Sequence, residues 1–278
     1  MRRLIIISGA GLSVESGVRA FRTDTASGKA LWDDYDLEEV CNIHAFRGNF
    51  YHKTHMFYNK RREELKTVEP NLAHLRIGEW YKQYPGQVVN LTTNVDDLIE
   101  RAGVPHSDIL HIHGYLKEVV VADSYNSSNK RIIDVGYSSI DPDDYKWVKP
   151  NVIFFGEHAP AYAEMYNVFE GITSQDMIIV VGCSNQVINF YWELFPILNR
   201  TAAKLMVVNY YDSALAAETG YQGMTRSEMY QLEERGVPYW SKGAVDAFSN
   251  PDFIARVEAH LEGRPYVPER RGNRYVHS

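Results

Sequence analysis

Cysteine is scarce in this sequence, which has two, Cys41 and Cys183, among 278 residues. Two cysteines cannot build a disulfide framework or a four-cysteine zinc site. Their scarcity favours a reducing, intracellular environment, and we expect a cytoplasmic protein. No apolar run reaches the roughly 18–20 residues that a membrane helix needs. The short run near the N-terminus is interrupted by Gly9-Ala10-Gly11 and predicts a buried strand rather than a signal peptide.

An excess of basic residues is also missing. Lys and Arg number 29 against 36 Asp and Glu, a formal net charge of −7. This balance argues against a dedicated nucleic-acid binder, which needs basic patches against phosphate, although a local basic pocket stays compatible with it. Apolar residues make up 45% and charged residues 23%, values typical of a globular protein. The length fits two domains, or one large domain with an insertion.

Buried strands alternate with helical segments along the chain. Short, apolar, mostly β-branched runs predict strands at 3–8, 88–92, 177–181 and 204–208. Helical spacing of apolar residues occurs at 71–84, 96–102 and 160–172. This alternation predicts an α/β fold in which helices cover both faces of a Rossmann-like parallel sheet.

Two stretches, 24–67 and 117–149, fit that alternation poorly, and we expect them to form a smaller inserted module. The first is aromatic with helix-like spacing. The second has two apolar runs separated by a polar linker at 124–129, as in a β-hairpin. The predicted NAD-binding domain is therefore discontinuous, comprising 1–23, 68–116 and 150–262, and residues 263–278 form a tail.

A glycine-rich loop directly follows the first predicted strand. Gly9 and Gly11 leave room for a pyrophosphate, and a helix start supplies free N–H groups to anionic oxygens. The plain alternative is a tight turn between strand and helix. The dehydrogenase fingerprint needs a third glycine where Val14 stands, so the loop favours a dinucleotide without favouring hydride transfer.

Polar residues follow two other segments of the predicted sheet domain. Asn94 and Asp96 come just after the strand at 88–92, where open α/β sheets bind ligands, although such residues also cap helices. His111 and His113 follow in a His-x-His-Gly sequence. A histidine can take a proton from a hydroxyl, but a single histidine is as readily a packed core residue.

Taken together, the motifs resemble those of the sirtuins, a family of NAD-dependent protein deacylases. They are, in chain order, Gly-Ala-Gly-x-Ser-x-x-Ser-Gly from Gly9 leading to Phe21-Arg22, Asn94-x-Asp96, His113-Gly114, Phe155-Gly156-Glu157 and Gly182-x-Ser184. The resemblance runs through most of residues 4–262. It implies NAD as cofactor and the acylated lysine of a protein as substrate, with neither nucleic acid nor membrane as a partner. It leaves the oligomeric state open.

The resemblance also implies roles for individual residues. His113 would be the general base that activates a ribose hydroxyl, with Asn94 beside it in the catalytic site, and His111 has no counterpart. The acyl group would pass from lysine to ADP-ribose, and nicotinamide would be released. The residues implied in cofactor binding are Gly9, Ala10, Gly11, Ser13, Arg22, Asn94, Asp96, Gly182, Ser184, Asn209 and Ala244.

Substrate-binding residues are implied at two places. Phe155, Gly156 and Glu157 match one edge of a cleft in which the peptide lies as an added strand. Tyr58 and Arg61 resemble the Tyr-x-x-Arg signature of class III sirtuins, which recognises succinyl- or malonyl-lysine. Three residues apart, they share a helix face, and an arginine can grip a carboxylate with two hydrogen bonds. The alternative is a solvated basic helix face.

The sequence departs from the sirtuin pattern in several ways. Residues 114–154 lack the four zinc cysteines of most members, so we expect no structural zinc, and Thr93 stands where a glutamine is usual. These departures keep two other functions open. One is an NAD glycohydrolase, in which water replaces the acyl oxygen. The other is a non-catalytic sensor of NAD or ADP-ribose, against which the presence of both His113 and Asn94 argues.

Overall fold

The structure is a computed structural model that describes residues 1–18, 35–184, 188–211 and 223–268. Arg22, implied in cofactor binding, lies outside these residues, as does the end of the predicted tail. The strands of the described part are β1 (Arg3–Ser8), β2 (Val88–Thr92), β3 (Ile109–His111), β4 (Gly114–Ala122), β5 (Arg131–Asp134), β6 (Trp147–Val152), β7 (Asp176–Val181), β8 (Lys204–Val208) and β9 (Tyr239–Trp240).

The helices lie before, between and after groups of these strands along the chain. They are α1 (Ala10–Ser13), α2 (Leu37–Val40), α3 (Ile43–Arg47), α4 (Tyr51–Thr67), α5 (Leu72–Gln83), α6 (Leu98–Arg101), α7 (Ala161–Glu170), α8 (Phe195–Thr201), α9 (Arg226–Glu234), α10 (Ala244–Ser249) and α11 (Pro251–Leu261). Within the described residues, no helix combines the length and the apolar character needed to cross a membrane.

Six strands form a parallel sheet in the order β3-β2-β1-β7-β8-β9. The chain runs outward from β1 to β2 and β3, and later returns to place β7 on the other side of β1. Helices cover both faces, so the predicted Rossmann-like fold is confirmed. Ligands bind such sheets at the carboxyl ends of the strands, where the strand order reverses. Here that point lies at the end of β1, between β2 and β7.

The central strand β1 is buried on both faces, as its continuous apolar sequence predicts. Leu4 and Ile6 pack into one core cluster with aromatic residues of α5, α10 and α11, namely Trp80, Phe248 and Phe253. Ile5 and Ile7 pack into a second cluster on the opposite face, with residues of α7, α8 and α9. The alternation of side chains along a strand therefore divides one apolar run between two cores.

A second, antiparallel sheet has the order β5-β4-β6. Val120 of β4 faces Ile132 of β5, so the hairpin predicted around residues 124–129 is confirmed. Helices α3 and α4 pack beside this sheet through an aromatic cluster that includes Phe46, Phe57 and Phe154. The exact division of the chain into a large domain and an inserted module stays a prediction.

The predicted helices at 71–84, 96–102 and 160–172 are confirmed as α5, α6 and α7. The helix expected after the glycine loop is shorter than its sequence suggests. It consists of α1 and one 3₁₀ turn, Val14–Ser16, which ends where Gly17 adopts φ +90°. Strands β3 and β9 escaped the sequence analysis because runs of three and two residues carry too little periodicity to detect.

Candidate active site

Two glycine loops cross at the carboxyl ends of β1 and β7. The Gly11 amide donates to the Gly182 carbonyl across 2.9 Å. A Cβ on Gly182 would lie 2.4 Å from the Gly11 Cα, and Gly182 also has φ +60°. A Cβ on Gly9 would lie 2.6 Å from the Gly182 oxygen. The glycines thus let the two loops approach each other through their main chains.

A buried polar network joins the first glycine loop to the segment after β2. The Asn94 side-chain amide donates to the Gly9 carbonyl at 2.9 Å and to Ser13 Oγ at 3.1 Å. Ser13 Oγ in turn donates to Asp96 Oδ2 at 2.8 Å. Burial raises the pKa of Asp96, while this hydrogen bond opposes the rise. The structure therefore brings together Gly9, Ser13, Asn94 and Asp96, although Gly9 and Asn94 are 85 positions apart in sequence.

Asp96 also supports the start of α6, because its other oxygen accepts from the amide of Leu98, although the N-cap residue itself is Asp97. One carboxylate thus supports a helix start and holds Ser13. Asp97 points elsewhere, toward the second sheet, where Lys117 lies 3.3 Å from its carboxylate. Only one of the two neighbouring aspartates belongs to the network.

His74 of α5 completes this network, and the sequence analysis did not assign it to the site. Its Nε2 lies 3.3 Å from Ser13 Oγ, and its Nδ1 accepts the amide of Asn71. Because Nδ1 accepts, the neutral ring carries its hydrogen on Nε2 and donates to Ser13. Burial lowers the pKa of His74 to about 3, so the ring is neutral at physiological pH. The only signal in the sequence was the Asn-x-x-His spacing of a helix cap.

His113 follows β3 and precedes Gly114, which has φ +88°. A Cβ on Gly114 would lie 2.1 Å from the carbonyl oxygen of Asn151, so the chain needs glycine here to pass β6. His113 is half-buried, and its Nε2 lies 3.2 Å from the hydroxyl of Tyr162 on α7. Burial raises the pKa of Tyr162, which keeps the phenol protonated at neutral pH. Tyr162 is a second residue that sequence reasoning missed.

Phe155 and Gly156 form an edge beside α3. The Phe155 amide donates to the Cys41 carbonyl at 2.7 Å, and the Phe155 carbonyl accepts from Ile43 at 3.0 Å. Phe155 keeps 38% of its side chain exposed. The side chain of Glu157 makes contacts within its own loop and with β6. Its carboxylate accepts a hydrogen bond from the Phe154 amide and forms an ion pair with Lys149 at 2.9 Å. That carboxylate holds the shape of the loop.

Tyr58 and Arg61 lie inside the protein, so the alternative of a solvated basic helix face is wrong. Tyr58 is fully buried and Arg61 is 7% exposed. The Tyr58 ring stacks on Phe154, and its hydroxyl lies 3.5 Å from Cys41 Sγ. Burial lowers the pKa of Arg61, while Tyr58, Cys41 and Asp96 are near enough to oppose this. Cys41, which the sequence analysis left unassigned, therefore lies close to both residues.

The far side of the glycine loops is an open groove with a volume of about 800 Å³. Its lining residues include Glu15, Tyr210, Ser241, Lys242 and Gly243. Glu15 accepts the Val245 amide at 2.8 Å at the start of α10, beside the predicted Ala244. The Asn209 amide donates to the Cys183 carbonyl, which holds the second loop, and Ser184 is half-buried beyond it.

Comparison with known proteins gives one consistent result. A sequence profile described as the Sir2 family matches residues 9–189. An NAD-dependent protein deacylase of Helicobacter hepaticus is 38% identical over 210 residues, which cover 68% of this chain and 77% of that protein. An NAD-dependent protein deacylase of Campylobacter jejuni is 35% identical over 205 residues, which cover 69% of this chain and 84% of that protein. A solved structure of a Sir2 homologue–NAD complex matches this chain with a TM-score of 0.66 at 25% sequence identity. The match covers 93% of this chain and 90% of the chain in that structure.

Proposed function

This chain belongs to the Sir2 family, and from that premise we propose that it is an NAD-dependent protein-lysine deacylase. In this reaction the acyl group of a modified lysine passes to ADP-ribose, and nicotinamide is released. The relatives in Helicobacter hepaticus and Campylobacter jejuni carry that activity in their names. The chain covers more than three quarters of each of these relatives, and so spans most of their catalytic framework.

The observation that carries the proposal is the bonded set of Asn94, Ser13 and Asp96 against the Gly9 carbonyl. The groups present fit a dinucleotide. At Gly9 and Gly182 the two loops meet with no room for side chains, which leaves main-chain groups at the sheet end for a dinucleotide, and Asp96 offers a buried acceptor for a carboxamide. When bound, NAD supplies a ribose carbon whose bond to nicotinamide can break.

The protein's own contribution is orientation and proton transfer. Asn94 and Asp96 are held by the network above, so their polar atoms are already in place before a ligand arrives. His113 takes a proton from a ribose hydroxyl, and Tyr162 holds its ring from the α7 side. A well-placed general base is worth about 10²–10⁴ in rate. The edge at Phe155 and Gly156 binds the substrate backbone as an added strand.

The test is to incubate the protein with NAD, with and without an acylated lysine peptide, and to measure nicotinamide release. Release that depends on peptide supports the deacylase. Release without peptide would instead identify an NAD glycohydrolase, and no release would identify a sensor. His113→Ala should reduce the peptide-dependent rate by about 10²–10⁴. His52→Ala, a change at an exposed residue on α4, should leave the rate unchanged.

We further propose that the preferred acyl group is acidic, of the succinyl or malonyl type. Supporting this, Tyr58 and Arg61 are buried together beside Cys41, on the Asp96 side of α4. A guanidinium can grip a carboxylate with two parallel hydrogen bonds and match its charge. Acetyl-lysine offers no such charge.

We also propose a cytoplasmic location and a deacylase that needs no cysteine-bound zinc. Cys41 and Cys183 are both buried, and they lie in two different core clusters. They are therefore not placed to share a metal ion. Elemental analysis of the Cys41→Ser and Cys183→Ser variants tests this: loss of bound metal in either one would contradict it.

A further inference from the structure

Two histidines and a glutamate meet outside the network just described, at the outer edge of the parallel sheet. Glu100 Oε1 lies 2.8 Å from His111 Nε2 and 2.9 Å from His106 Nδ1. The three side-chain ligand atoms all lie within 4.8 Å of one another. Glu100 comes from α6, His106 from the 3₁₀ turn His106–Asp108 and His111 from β3. Three separate elements therefore direct their donor atoms to one point.

The hydrogen-bond pattern around His111 is compatible with a cation at this point. His111 Nδ1 lies 3.2 Å from the Asn94 carbonyl oxygen, which can only accept, so Nδ1 carries a hydrogen. In the neutral ring Nε2 is then a lone pair, and it faces a carboxylate oxygen. Two acceptors at 2.8 Å require a proton or a metal ion between them. The second oxygen of Glu100 is buried and has no hydrogen-bond partner among the described residues.

We propose that Glu100, His106 and His111 form a binding site for a divalent transition-metal ion of the zinc type. Two imidazole nitrogens and one carboxylate oxygen are a ligand set that suits Zn²⁺ and neighbouring metals, whereas Mg²⁺ and Ca²⁺ prefer oxygen alone. Three protein ligands leave one position of a tetrahedral ion for solvent or a further group.

The geometry is compatible with such an ion. Tetrahedral zinc has bonds of about 2.0–2.1 Å to nitrogen, which places its ligand atoms roughly 3.3 Å apart. The two contacts of Glu100, at 2.8 and 2.9 Å, need to open by only a few tenths of an ångström, and the ligand nitrogens of His106 and His111 already lie within 4.8 Å of each other. His106 can make that adjustment because 46% of its side chain is exposed, whereas His111 and Glu100 are held at 7% and 13%. The exposed side of His106 also gives the ion a path of entry.

The surroundings support the binding of a cation. The other ring nitrogen of His111, Nδ1, faces a main-chain carbonyl to which it can donate a hydrogen bond. In metal sites an outer contact of this kind fixes the tautomer of the histidine ligand. Glu118 lies 3.7 Å from the remaining nitrogen of His106 and adds a second negative charge. The ring of Tyr115 packs on both histidines, 4.3 Å from His106 and 4.8 Å from His111 between centroids.

Metal binding here would act on the cofactor site through one link. The carbonyl that accepts from His111 belongs to Asn94, whose side chain bonds Gly9 and Ser13. An ion that fixes His111 therefore also fixes the segment that carries Asn94. The role is structural, because none of the three ligands belongs to the network that contains Ser13 and Asp96. Such an ion would modify the expectation of no structural zinc, which rested on the missing cysteines of residues 114–154, because this site lies outside that segment and uses no cysteine.

The experiment uses the full chain, stripped with a chelator and then titrated with Zn²⁺ and with Co²⁺. We expect one equivalent of Zn²⁺ by calorimetry, and visible absorption bands of tetrahedral Co²⁺. At a Zn²⁺ concentration of 100 times Kd, the melting temperature should rise by roughly 5–10 °C. Stoichiometry and absorption are read without NAD, so a failure here is distinct from a failure of the proposed deacylase.

Two variants and one control make the assignment specific. His106→Ala changes a partly exposed residue and should weaken Zn²⁺ binding by about 100-fold or more. Glu100→Gln tests the shared carboxylate. His52→Ala removes a histidine that also faces a carboxylate, that of Asp143 at 2.9 Å, but with both side chains exposed. It should bind Zn²⁺ like the unchanged chain. Absence of binding in the unchanged chain, or full binding in His106→Ala, would overturn the proposal and leave a protonated His111 as the cation.

Discussion

Neighbouring residues of the same type have different contacts and roles in this protein. Arg61 and Arg62 are adjacent on α4, and both are buried. Arg62 donates to the carbonyl oxygens of Ser138 and Leu116, which ties α4 to the second sheet. Arg61 instead interacts electrostatically with Tyr58, Cys41 and Asp96. A position one residue further along a helix turns by about 100°, so two identical side chains meet different surroundings.

The Arg61→Met variant tests the role of this residue in acyl recognition. It should lower kcat/KM for a succinyl-lysine peptide by roughly 10- to 100-fold, because a charge-assisted hydrogen bond is lost. Activity on an acetyl-lysine peptide should change little. Mass spectrometry of both peptides after reaction gives the ratio. Lys66→Met, an exposed change on the same helix, should leave the ratio unaltered. An unchanged ratio in Arg61→Met would refute the acidic-acyl preference.

At the scale of elements, the site exists because loops from different strands can approach closely. The main chains of the loop after β1 and the loop after β7 meet at Gly9, Gly11 and Gly182. The start of β4 passes close to β6 in the same way, at Gly114. These glycines allow close contact between separate elements. Rules that relate glycine to the conformation of a single turn do not describe such contacts.

A matched pair of glycine substitutions separates close approach from backbone conformation. Gly182 has φ +60° and Gly236 has φ +64°, but a Cβ on Gly236 would meet nothing within 4 Å. Gly236→Ala should therefore cost only about 1–2 kcal/mol of unfolding free energy and leave NAD binding intact. Gly182→Ala should cost more than about 3 kcal/mol and weaken NAD binding. Urea denaturation and calorimetric NAD titration measure the two effects. Equal effects would show that the loop contact is unimportant.

For the whole molecule, buried histidines link stability to pH. Burial lowers the pKa of His55 to about 4 and that of His74 to about 3. Unfolded histidine has a pKa near 6.5. As the pH falls from about 6.5 toward 4, the unfolded chain therefore binds protons that the folded chain does not, and the folded state loses stability. Above about 6.5 this contribution to stability is complete.

Each of these rings should lower the unfolding free energy on the order of 1.4 kcal/mol per pH unit within that window. His55→Gln keeps a donor for the Val148 carbonyl but cannot titrate there, so it should make the decline shallower. Urea denaturation near pH 7 and near pH 5 measures the slope. His52→Gln, at an exposed position, is the control and should keep the original slope. If the unfolding free energy of His55→Gln declined with pH as steeply as that of the unchanged chain, His55 would be excluded as a source of the pH dependence.

The sequence by itself determined the features that depend on neighbouring residues. The strands at 3–8, 88–92 and 204–208 have the predicted bounds, and the hairpin pairs as predicted, because burial patterns and turn chemistry are local. The motifs from Gly9 to Gly182 also indicated the family that the comparisons then found.

Only the tertiary structure decided which polar side chains meet. Ser13 and Asp96 are 83 positions apart, and His113 and Tyr162 are 49 apart. The burial of Arg61 depends likewise on the packing of α4, and the Glu100 cluster on three separate elements. The physical reason is that parallel strands joined by helical crossovers bring distant loops to one sheet edge. Sequence periodicity reports which face of an element is buried, but it does not report which residue lies opposite.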